Sequence, residues 1–272
     1  MPTDKLRLDC LLVQRSFFSS REKARAAIMA GQVQVGGRTI SKPGTLVSPQ
    51  ADIAVGNQTL PYVSRGGLKL EKAIKEFGLN FINMVVLDVG ASTGGFTDCA
   101  LQHGARRVYA LDVGHGLLDW TLRTDPRVVA LEKVNVRYLD PEMIPERVDI
   151  ATVDVSFISL LKILGPVSAV MKRGAHLVAL VKPQFEAGRH QVGKHGVVRD
   201  ASVHCEVLLR ITGHMREIGL YPWGLTFSPI RGPKGNIEFL VAADYLVNQH
   251  VLLLEAKVKE VVQQSHKLLL GE

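Results

Sequence analysis

Cysteine is scarce in this sequence. The three cysteines, Cys10, Cys99 and Cys205, lie far apart, and no CxxC pair is present. A disulfide framework needs paired cysteines, and a structural zinc site needs ligands at short spacing. The sequence therefore predicts neither of them and no metal site, and it favours a reducing cytoplasm as the location.

Long apolar runs are missing as well. No stretch reaches the roughly 20 apolar residues that a membrane span requires, and charges at positions 4, 5, 7 and 9 argue against a secretory signal. A soluble globular protein without stable membrane association is expected. The C-terminal HVLLLEAKVKEVVQQSHKLLL is amphipathic, with apolar residues at 251, 254, 258, 261 and 262. Such a helix either packs on a core or lies on a membrane, and the first is far commoner.

Positive charge is in excess and unevenly distributed. Residues 1–65 carry nine Lys and Arg against four Asp and Glu, a net charge of +5, whereas the remainder carries 24 against 22. This asymmetry is typical of an N-terminal module that binds a polyanion. A merely solvated basic surface is the alternative.

The N-terminal segment predicts a small α+β domain. LRLDCLLVQRSFFSSREKARAAIMAG fits two short helices, and QVQVGGRTI reads as a tight hairpin turning at Gly36 and Gly37. Arginines four apart on the second helix share a face and suit phosphate contacts, whereas aromatic residues for base stacking are few. Folded RNA is the expected ligand, unless this is only a solvated helix face. The predicted RNA-binding residues here are Lys5, Arg7, Arg21, Arg25 and Lys42.

From residue 85 onward, apolar strands alternate with helical segments. The strands begin with VVLDVG, RVYALDVG and RVVALEK and end with LYPWGLTFSPI and IEFLVAADYL. The alternation predicts an α/β fold, a mostly parallel sheet with helices on both faces. The last two strands lie too close in sequence for a crossover helix, so an antiparallel edge hairpin is expected. Such sheets bind ligands at the carboxyl ends of their strands.

The stretch VVLDVGASTGGFTD joins a strand to a glycine-rich loop. A Walker loop would place a lysine after its last glycine, but Phe96 follows Gly95; a dinucleotide fingerprint would place glycine at position 92, which is Ser92. Asp88 at the end of this strand and Asp112 at the end of the next one suit a nucleoside without phosphates. S-adenosyl-L-methionine has that chemistry, unless both acids are ordinary strand-end residues.

Charged residues also stand near other strand ends. Asp154 and Lys182 follow apolar strands where a buried charge is costly, so we expect them in the cleft. Lys69 lies on a helix before the first strand, and Glu238 begins the last strand; either could instead be solvated. A lysine crowded by a second cation and partly desolvated can lose its proton near neutrality and act as a base.

Several motifs in combination resemble the TlyA family of ribosomal RNA 2′-O-ribose methyltransferases, also labelled hemolysin A. They are SRGGLKL, DVGASTGGFTD, DVSFISL, LVKPQFE, HGVVRD and GNIEFL, and the similarity extends over nearly the whole chain. The resemblance implies an RNA-binding domain of the type first seen in a ribosomal protein over residues 1–60. It implies an FtsJ-like, Rossmann-like class I methyltransferase domain over residues 61–272.

The resemblance also implies roles for individual residues. A tetrad falls on Lys69, Asp154, Lys182 and Glu238, in which Lys182 deprotonates or polarises the ribose hydroxyl and the others orient it. Arg65 and Arg189 join the RNA-binding set, and Lys194 and Arg199 lie in the same loop as Arg189. The implied cofactor contacts are Asp88, Gly90, Ala91, Ser92, Thr93, Gly94, Gly95, Phe96, Asp112 and Asn135, the last of which could equally be a turn residue.

Three hypotheses for function follow. The first is S-adenosyl-L-methionine-dependent 2′-O-methylation of ribosomal RNA, at cytidine as in the family, by a protein expected to be monomeric. The second is membrane lysis, which the family's other label suggests. The third is a non-enzymatic RNA-binding factor of ribosome assembly that retains the fold.

Overall fold

The computed structural model describes residues 5–18, 20–29, 31–55, 61–247 and 255–271. The chain forms two compact units, Met1–Pro61 and Tyr62–Glu272. The boundary expected near residue 60 falls in a segment outside the described residues.

The described residues of the first unit form two helices and five short strands. Gly36 and Gly37, with φ of 54° and 74°, close the hairpin with the left-handed geometry that a two-residue turn requires. Leu8, Leu12 and Ile28 are fully buried, so both helices turn their apolar faces to one small core. The elements are β1 (Leu6–Arg7), α1 (Leu8–Gln14), α2 (Arg21–Met29), β2 (Val33–Val35), β3 (Arg38–Thr39), β4 (Leu46–Val47) and β5 (Ile53–Val55).

The second unit alternates helices and strands, as the sequence predicts. Its helices are α3 (Gly66–Phe77), α4 (Gly95–Gln102), α5 (Trp120–Arg123), α6 (Leu164–Ala169), α7 (Pro183–Glu186), α8 (Ala201–Glu217) and α9 (Glu255–Leu270). Its strands are β6 (Val85–Val89), β7 (Arg107–Asp112), β8 (Val128–Glu132), β9 (Val148–Val153), β10 (Met171–Val181), β11 (Leu220–Phe227) and β12 (Phe239–Tyr245).

These strands form one sheet in the order β11-β12-β10-β9-β6-β7-β8. The five strands from β10 to β8 are parallel, whereas β12 is antiparallel to both β10 and β11. The expected Rossmann-like sheet with an antiparallel edge hairpin is therefore confirmed. Glu238 lies one residue before β12, because the regular pairing begins at Phe239.

The C-terminal helix packs against the core of this unit. Val258, Val261 and Val262 are 1%, 3% and 1% exposed and belong to the same apolar cluster as the β6 residue Leu87. Positions 251 and 254 of the amphipathic pattern lie outside the described residues. The described apolar face of α9 is thus buried in the protein. Within the described ranges, no helix has the length and apolar character to cross a membrane.

Candidate active site

A cleft of about 1220 Å³ opens at the carboxyl ends of β6, β7 and β9. Its walls include Gly90, Asp112 and Asp154, each of which follows or ends one of these strands. Open α/β sheets bind ligands at this edge. The volume exceeds that of a typical single-ligand site, so the cleft has room for a cofactor and a nucleotide together.

The glycine loop fits closely against its neighbours. Gly90 has φ of +84°, and a Cβ at this position would lie 2.5 Å from the carbonyl oxygen of Asp154. Gly94 has φ of +96°, and a Cβ there would overlap Leu122. Only glycine satisfies both the backbone conformation and the space at these two positions. The loop can therefore approach a ligand with its backbone.

Asp112 fixes the loop from the neighbouring strand. Its Oδ2 accepts the backbone N–H of Ser92 at 2.8 Å, and its Oδ1 accepts that of Gly114 at 2.7 Å. Each carboxylate oxygen has a second lone pair, and Asp112 lines the cleft. It can accept ribose hydroxyls while it holds the loop.

Asp88 occupies a different position from the one that the sequence suggests. It is the penultimate residue of β6, is 1% exposed and does not line the cleft. Its carboxyl group accepts from Thr97 Oγ1 at 2.7 Å and Thr152 Oγ1 at 3.2 Å. Burial raises the pKa of Asp88 to about 7. Its contacts thus hold the loop and the start of α4 from beneath.

Some of the cofactor residues expected from the motif line the cleft, and others do not. Gly90, Ser92 and Asp112 line the cleft together with Asn135. Asn135 also accepts the backbone N–H of Arg137 at 3.1 Å, so it caps a short turn as well as facing the cleft. The residues that do not line the cleft are Asp88, Ala91, Thr93, Gly94, Gly95 and Phe96.

The structure brings Lys69, Asp154, Lys182 and Glu238 together. Lys69 Nζ donates to Glu238 Oε2 at 2.7 Å and lies 3.7 Å from Asp154 Oδ2. Lys182 Nζ lies 2.5 Å from Asp154 Oδ1 and donates to Ser156 Oγ at 3.0 Å. Asp154 is therefore the residue that connects the two lysines, and it lines the cleft.

The charges of this network stabilise one another. Burial lowers the pKa of Lys69, but the carboxylates of Asp154 and Glu238 outweigh burial and the pKa is raised. Burial likewise raises the pKa of Asp154, but Lys69 and Lys182 outweigh it and the pKa is lowered. Lys69 therefore remains an ammonium and Asp154 a carboxylate over the physiological pH range.

Close backbone packing places Lys69 in this network. A Cβ on Gly95, at the start of α4, would lie 2.9 Å from the backbone nitrogen of Gly67 in α3. A Cβ on Gly67 would overlap the ring of Tyr62. The glycines of SRGGLKL and GASTGGF thus allow α3 and α4 to meet, and Lys69 projects from α3 toward Glu238.

The position of Lys182 is set by the end of β10, which it follows directly. It follows Val181, and Pro183 begins α7 immediately after it. Its side chain is only 10% exposed, which limits solvent access to the amine. Lys182 does not itself line the cleft, contrary to the expectation from the sequence, but Asp154 and Ser156, which it contacts, do. Asp154 offsets the cost of burying the charge of Lys182.

Phe157 was not among the residues singled out from the sequence. It lines the cleft, is 90% exposed and has φ of +65°. A bulky side chain in the left-handed region is uncommon and is associated with functional sites. Its ring centroid lies 5.0 Å from that of Phe185. The apolar motif DVSFISL gave no signal that this phenylalanine would face solvent.

Of the basic residues predicted to bind RNA in the second unit, one lines this cleft and the others are wholly or partly exposed elsewhere. Arg189 lines it, together with Arg137 and Lys162, which the sequence did not single out. Arg65 is partly exposed and immediately precedes α3. Lys194 and Arg199 are exposed on the loop that follows α7.

In the first unit, the five predicted basic residues are all exposed. The fold brings Arg7 and Arg21 to one carboxylate, that of Asp9. A Cβ on Gly44 would lie 3.2 Å from Arg7 Nη1, which places the turn that contains Lys42 beside Arg7. The remaining two predicted residues of this set are Lys5 and Arg25.

The fold and the cleft together define a class I methyltransferase. A mostly parallel sheet carries a glycine loop without a phosphate-binding lysine, and a carboxylate stands at the next strand end. The FtsJ-like methyltransferase family matches residues 62–245, and the S4 domain matches residues 6–53.

Relatives that match most of the chain include proteins named as methyltransferases. The chain is 47% identical to YqxC of Bacillus subtilis, provisionally named an rRNA methyltransferase, over 99% of this chain and 97% of the relative. It is 43% identical to the 16S/23S rRNA (cytidine-2′-O)-methyltransferase TlyA of Mycobacterium tuberculosis, over 87% and 89%. A solved structure from Streptococcus thermophilus, provisionally described as a hemolysin, is 44% identical over 97% of both chains, with a TM-score of 0.77.

The chain belongs to the TlyA family of FtsJ-like methyltransferases. The family expected from the motifs is therefore confirmed, and S-adenosyl-L-methionine is its methyl donor.

Proposed function

We propose that this protein transfers a methyl group from S-adenosyl-L-methionine to a ribose 2′-hydroxyl of ribosomal RNA, at a cytidine. The observation that carries the proposal is the network of Lys69, Asp154, Lys182 and Glu238 beside the glycine loop. The Mycobacterium tuberculosis relative is named for methylation at this atom of cytidine.

The residues at the cleft fit this cofactor. Gly90 and Ser92 line the cleft, and Gly90 has no side chain, so the loop presents backbone to a ligand. Asp112 supplies a carboxylate for ribose hydroxyls, and the loop carries no lysine or arginine that phosphates would need. S-adenosyl-L-methionine, when bound, supplies a methyl group on a sulfonium that needs no further activation.

The protein's own residues act on the ribose hydroxyl. Lys182 Nζ would polarise the 2′-oxygen, the atom that accepts the methyl group from bound S-adenosyl-L-methionine. The hydroxyl proton would pass to a solvent water molecule in the cleft. Asp154 orients Lys182, while Lys69 and Glu238 hold Asp154 and complete its charge balance. By holding the ribose and the methyl donor side by side, the cleft would supply much of the remaining acceleration.

Several surfaces suit an RNA substrate. Arg137, Lys162 and Arg189 at the cleft can contact phosphates. Phe157 presents an exposed ring on which an unstacked base can lie. The S4 domain supplies the second, basic contact region. We further propose that the protein acts as a cytoplasmic monomer, without stable membrane association.

The decisive test is Lys182→Ala. We expect methyl transfer to ribosomal RNA to fall by at least about 10³-fold, because the hydroxyl loses its cationic neighbour. Binding of S-adenosyl-L-methionine, measured by calorimetry, should remain unchanged. Transfer is measured with labelled methyl donor and purified ribosomal subunits or their RNA, and the modified nucleotide is mapped by mass spectrometry.

Lys172→Ala is the matched control. Lys172 pairs with Asp149 near the starts of β10 and β9, at the opposite end of these strands from Lys182 and Asp154, so full activity is expected from this variant. Full activity of Lys182→Ala would disprove the assigned role of the tetrad. Failure of the wild-type protein to bind S-adenosyl-L-methionine would favour a non-enzymatic assembly factor. Leakage of liposomes caused by the Lys182→Ala protein would support lysis instead.

A further inference from the structure

Asp9 is a fully buried carboxylate on the RNA-binding unit, at 0% exposure. It accepts from Arg7 Nε and Arg7 Nη2, both at 3.0 Å, and from Arg21 Nη2 at 3.1 Å. The backbone N–H of Cys10 donates to it at 3.0 Å. One buried anion is thus the shared partner of two arginines that stand on different elements.

The two arginines remain accessible although they share this partner. Their side chains are 49% and 52% exposed, whereas that of Asp9 is 0% exposed. The hydrogen bonds from Arg7 hold the pKa of Asp9 well below its usual range, against the opposing effect of burial. Asp9 uses three of the ten N–H donors that two guanidinium groups carry. Both groups keep donors for a further anion.

The surrounding backbone fixes this arrangement. Leu8 N donates to Thr45 O at 2.8 Å, and Asp9 N donates to Pro43 O at 3.1 Å, so the turn after Lys42 is joined to the start of α1. Gly44 in that turn leaves space for the Arg7 guanidinium. The pair therefore sits on an ordered part of the fold.

We propose that Asp9 is a positioning residue for RNA binding, which holds Arg7 and Arg21 side by side so that the two guanidinium groups clamp one phosphate. The inference rests on the proposed function, in which the substrate is ribosomal RNA. Guanidinium groups bind phosphate bidentately, and a pair held in advance loses less freedom on binding than two mobile side chains. The third cation, Lys42, lies in the adjoining turn.

The substitution Asp9→Asn distinguishes a positioning effect of Asp9 on RNA affinity from the effect of its negative charge, because the two change the affinity in opposite directions. It removes one negative charge from a basic surface, so long-range electrostatics alone would tighten RNA binding. Loss of the shared anion releases both arginines, so the clamp predicts weaker binding, by roughly five- to tenfold in Kd. Asp52→Asn is the control, since Asp52 is exposed on the same unit. We expect unchanged or slightly tighter binding from it.

Binding is measured with the full-length protein and transcribed 16S and 23S ribosomal RNA, by filter retention over a range of salt concentrations. The clamp predicts that Asp9→Asn lowers the magnitude of the salt slope, because phosphate contacts are lost. In an Arg7→Gln, Arg21→Gln background, Asp9→Asn should cause no additional loss. Tighter binding by Asp9→Asn, or an equal loss in both backgrounds, would overturn the proposal.

A second pair of variants covers the case in which Asp9→Asn unfolds the unit. Arg7→Lys and Arg21→Lys keep the charge but lose the planar fork, so the clamp predicts about fivefold weaker binding from each. Wild-type affinity in both would overturn it. If the wild-type protein binds neither RNA, the proposed function fails. If the wild-type protein binds and methylates RNA, and the variants bind it with the same affinity, only the clamp fails.

Discussion

Lys69 lies between two carboxylates, so it belongs to an ion network in which its charge is retained. The sequence suggested that two neighbouring lysines would favour a neutral amine. Asp154 stands between them and forms an ion pair with each, and together with Glu238 it raises the pKa of Lys69 instead. One anion between two cations reverses the expected shift, because an opposite charge favours the ionised form.

At the residue scale, Asp88→Asn tests the buried carboxyl beneath the loop. Burial raises the pKa of Asp88 from its ordinary value near 3.8 to about 7. The folded protein therefore holds a proton that the unfolded chain releases, and stability falls as the pH rises from about 4 to about 7. In Asp88→Asn this loss is absent. We expect the variant to be more stable than the wild type at pH 8.

The measurement is chemical unfolding of both proteins at several pH values between 4 and 8. Thr97 donates to one oxygen of Asp88 and Thr152 to the other. Asn keeps one carbonyl oxygen for Thr97, and its amide N–H can donate to the hydroxyl of Thr152, which can donate to Leu87 O instead. An unchanged difference in stability between the two proteins across this range would show that Asp88 is ionised in the fold.

At the element scale, the loop between β6 and α4 depends on two independent demands on glycine. Gly90 needs the left-handed conformation and the absence of a Cβ, because Asp154 O stands 2.5 Å from where that atom would lie. The same contact sets the distance between the cofactor loop and the tetrad. A change in the loop therefore acts on cofactor binding and on the position of Asp154 together.

Gly90→Ala should weaken S-adenosyl-L-methionine binding by at least about tenfold and lower the rate of transfer at saturating cofactor. The added methyl group pushes the loop away from Asp154, in addition to about 1 kcal/mol of backbone strain. Calorimetry and single-turnover transfer check the two effects separately.

Gly78→Ala provides the comparison for this prediction. Gly78 has φ of +63° with nothing within 4 Å of an added Cβ, so it has the strain without the clash. We expect a modest loss of stability and normal cofactor affinity. Equal cofactor affinity in both variants would show that the contact with Asp154 is unimportant.

At the scale of the whole molecule, each unit has an apolar core of its own. The core of the first unit consists of buried residues between Leu8 and Ile53, and those of the second begin at Tyr62. The cleft and all four tetrad residues belong to the second unit. The basic residues held by Asp9 belong to the first.

A fragment of residues 62–272 should therefore fold and bind S-adenosyl-L-methionine with the affinity of the intact protein. Its Kd for ribosomal RNA should rise by at least about 100-fold, because the phosphate contacts of the S4 domain are lost. Calorimetry and filter binding measure the two affinities. Undiminished RNA affinity of the fragment would show that the cleft region alone recognises the substrate.

The outline of the fold followed from local pattern. Alternating apolar strands and helical segments specify a mostly parallel sheet, and the short connection before β12 specifies the antiparallel edge. The glycine loop could be interpreted for the same reason. Ser92 argues against a dinucleotide fingerprint, and the absence of a lysine after Gly95 argues against a Walker loop. Grouping the tetrad depended on the resemblance to a known family.

The sequence by itself determined the class of fold, the loop and the presence of charged residues near strand ends, because each depends on neighbours within a short stretch of chain. Tertiary structure decided what those residues meet. Asp88 lies under the loop, Phe157 faces the cleft, and Asp9 joins arginines 14 residues apart in the chain. The physical reason is that burial and ionic partners come from residues distant in sequence, which only the folded chain brings together.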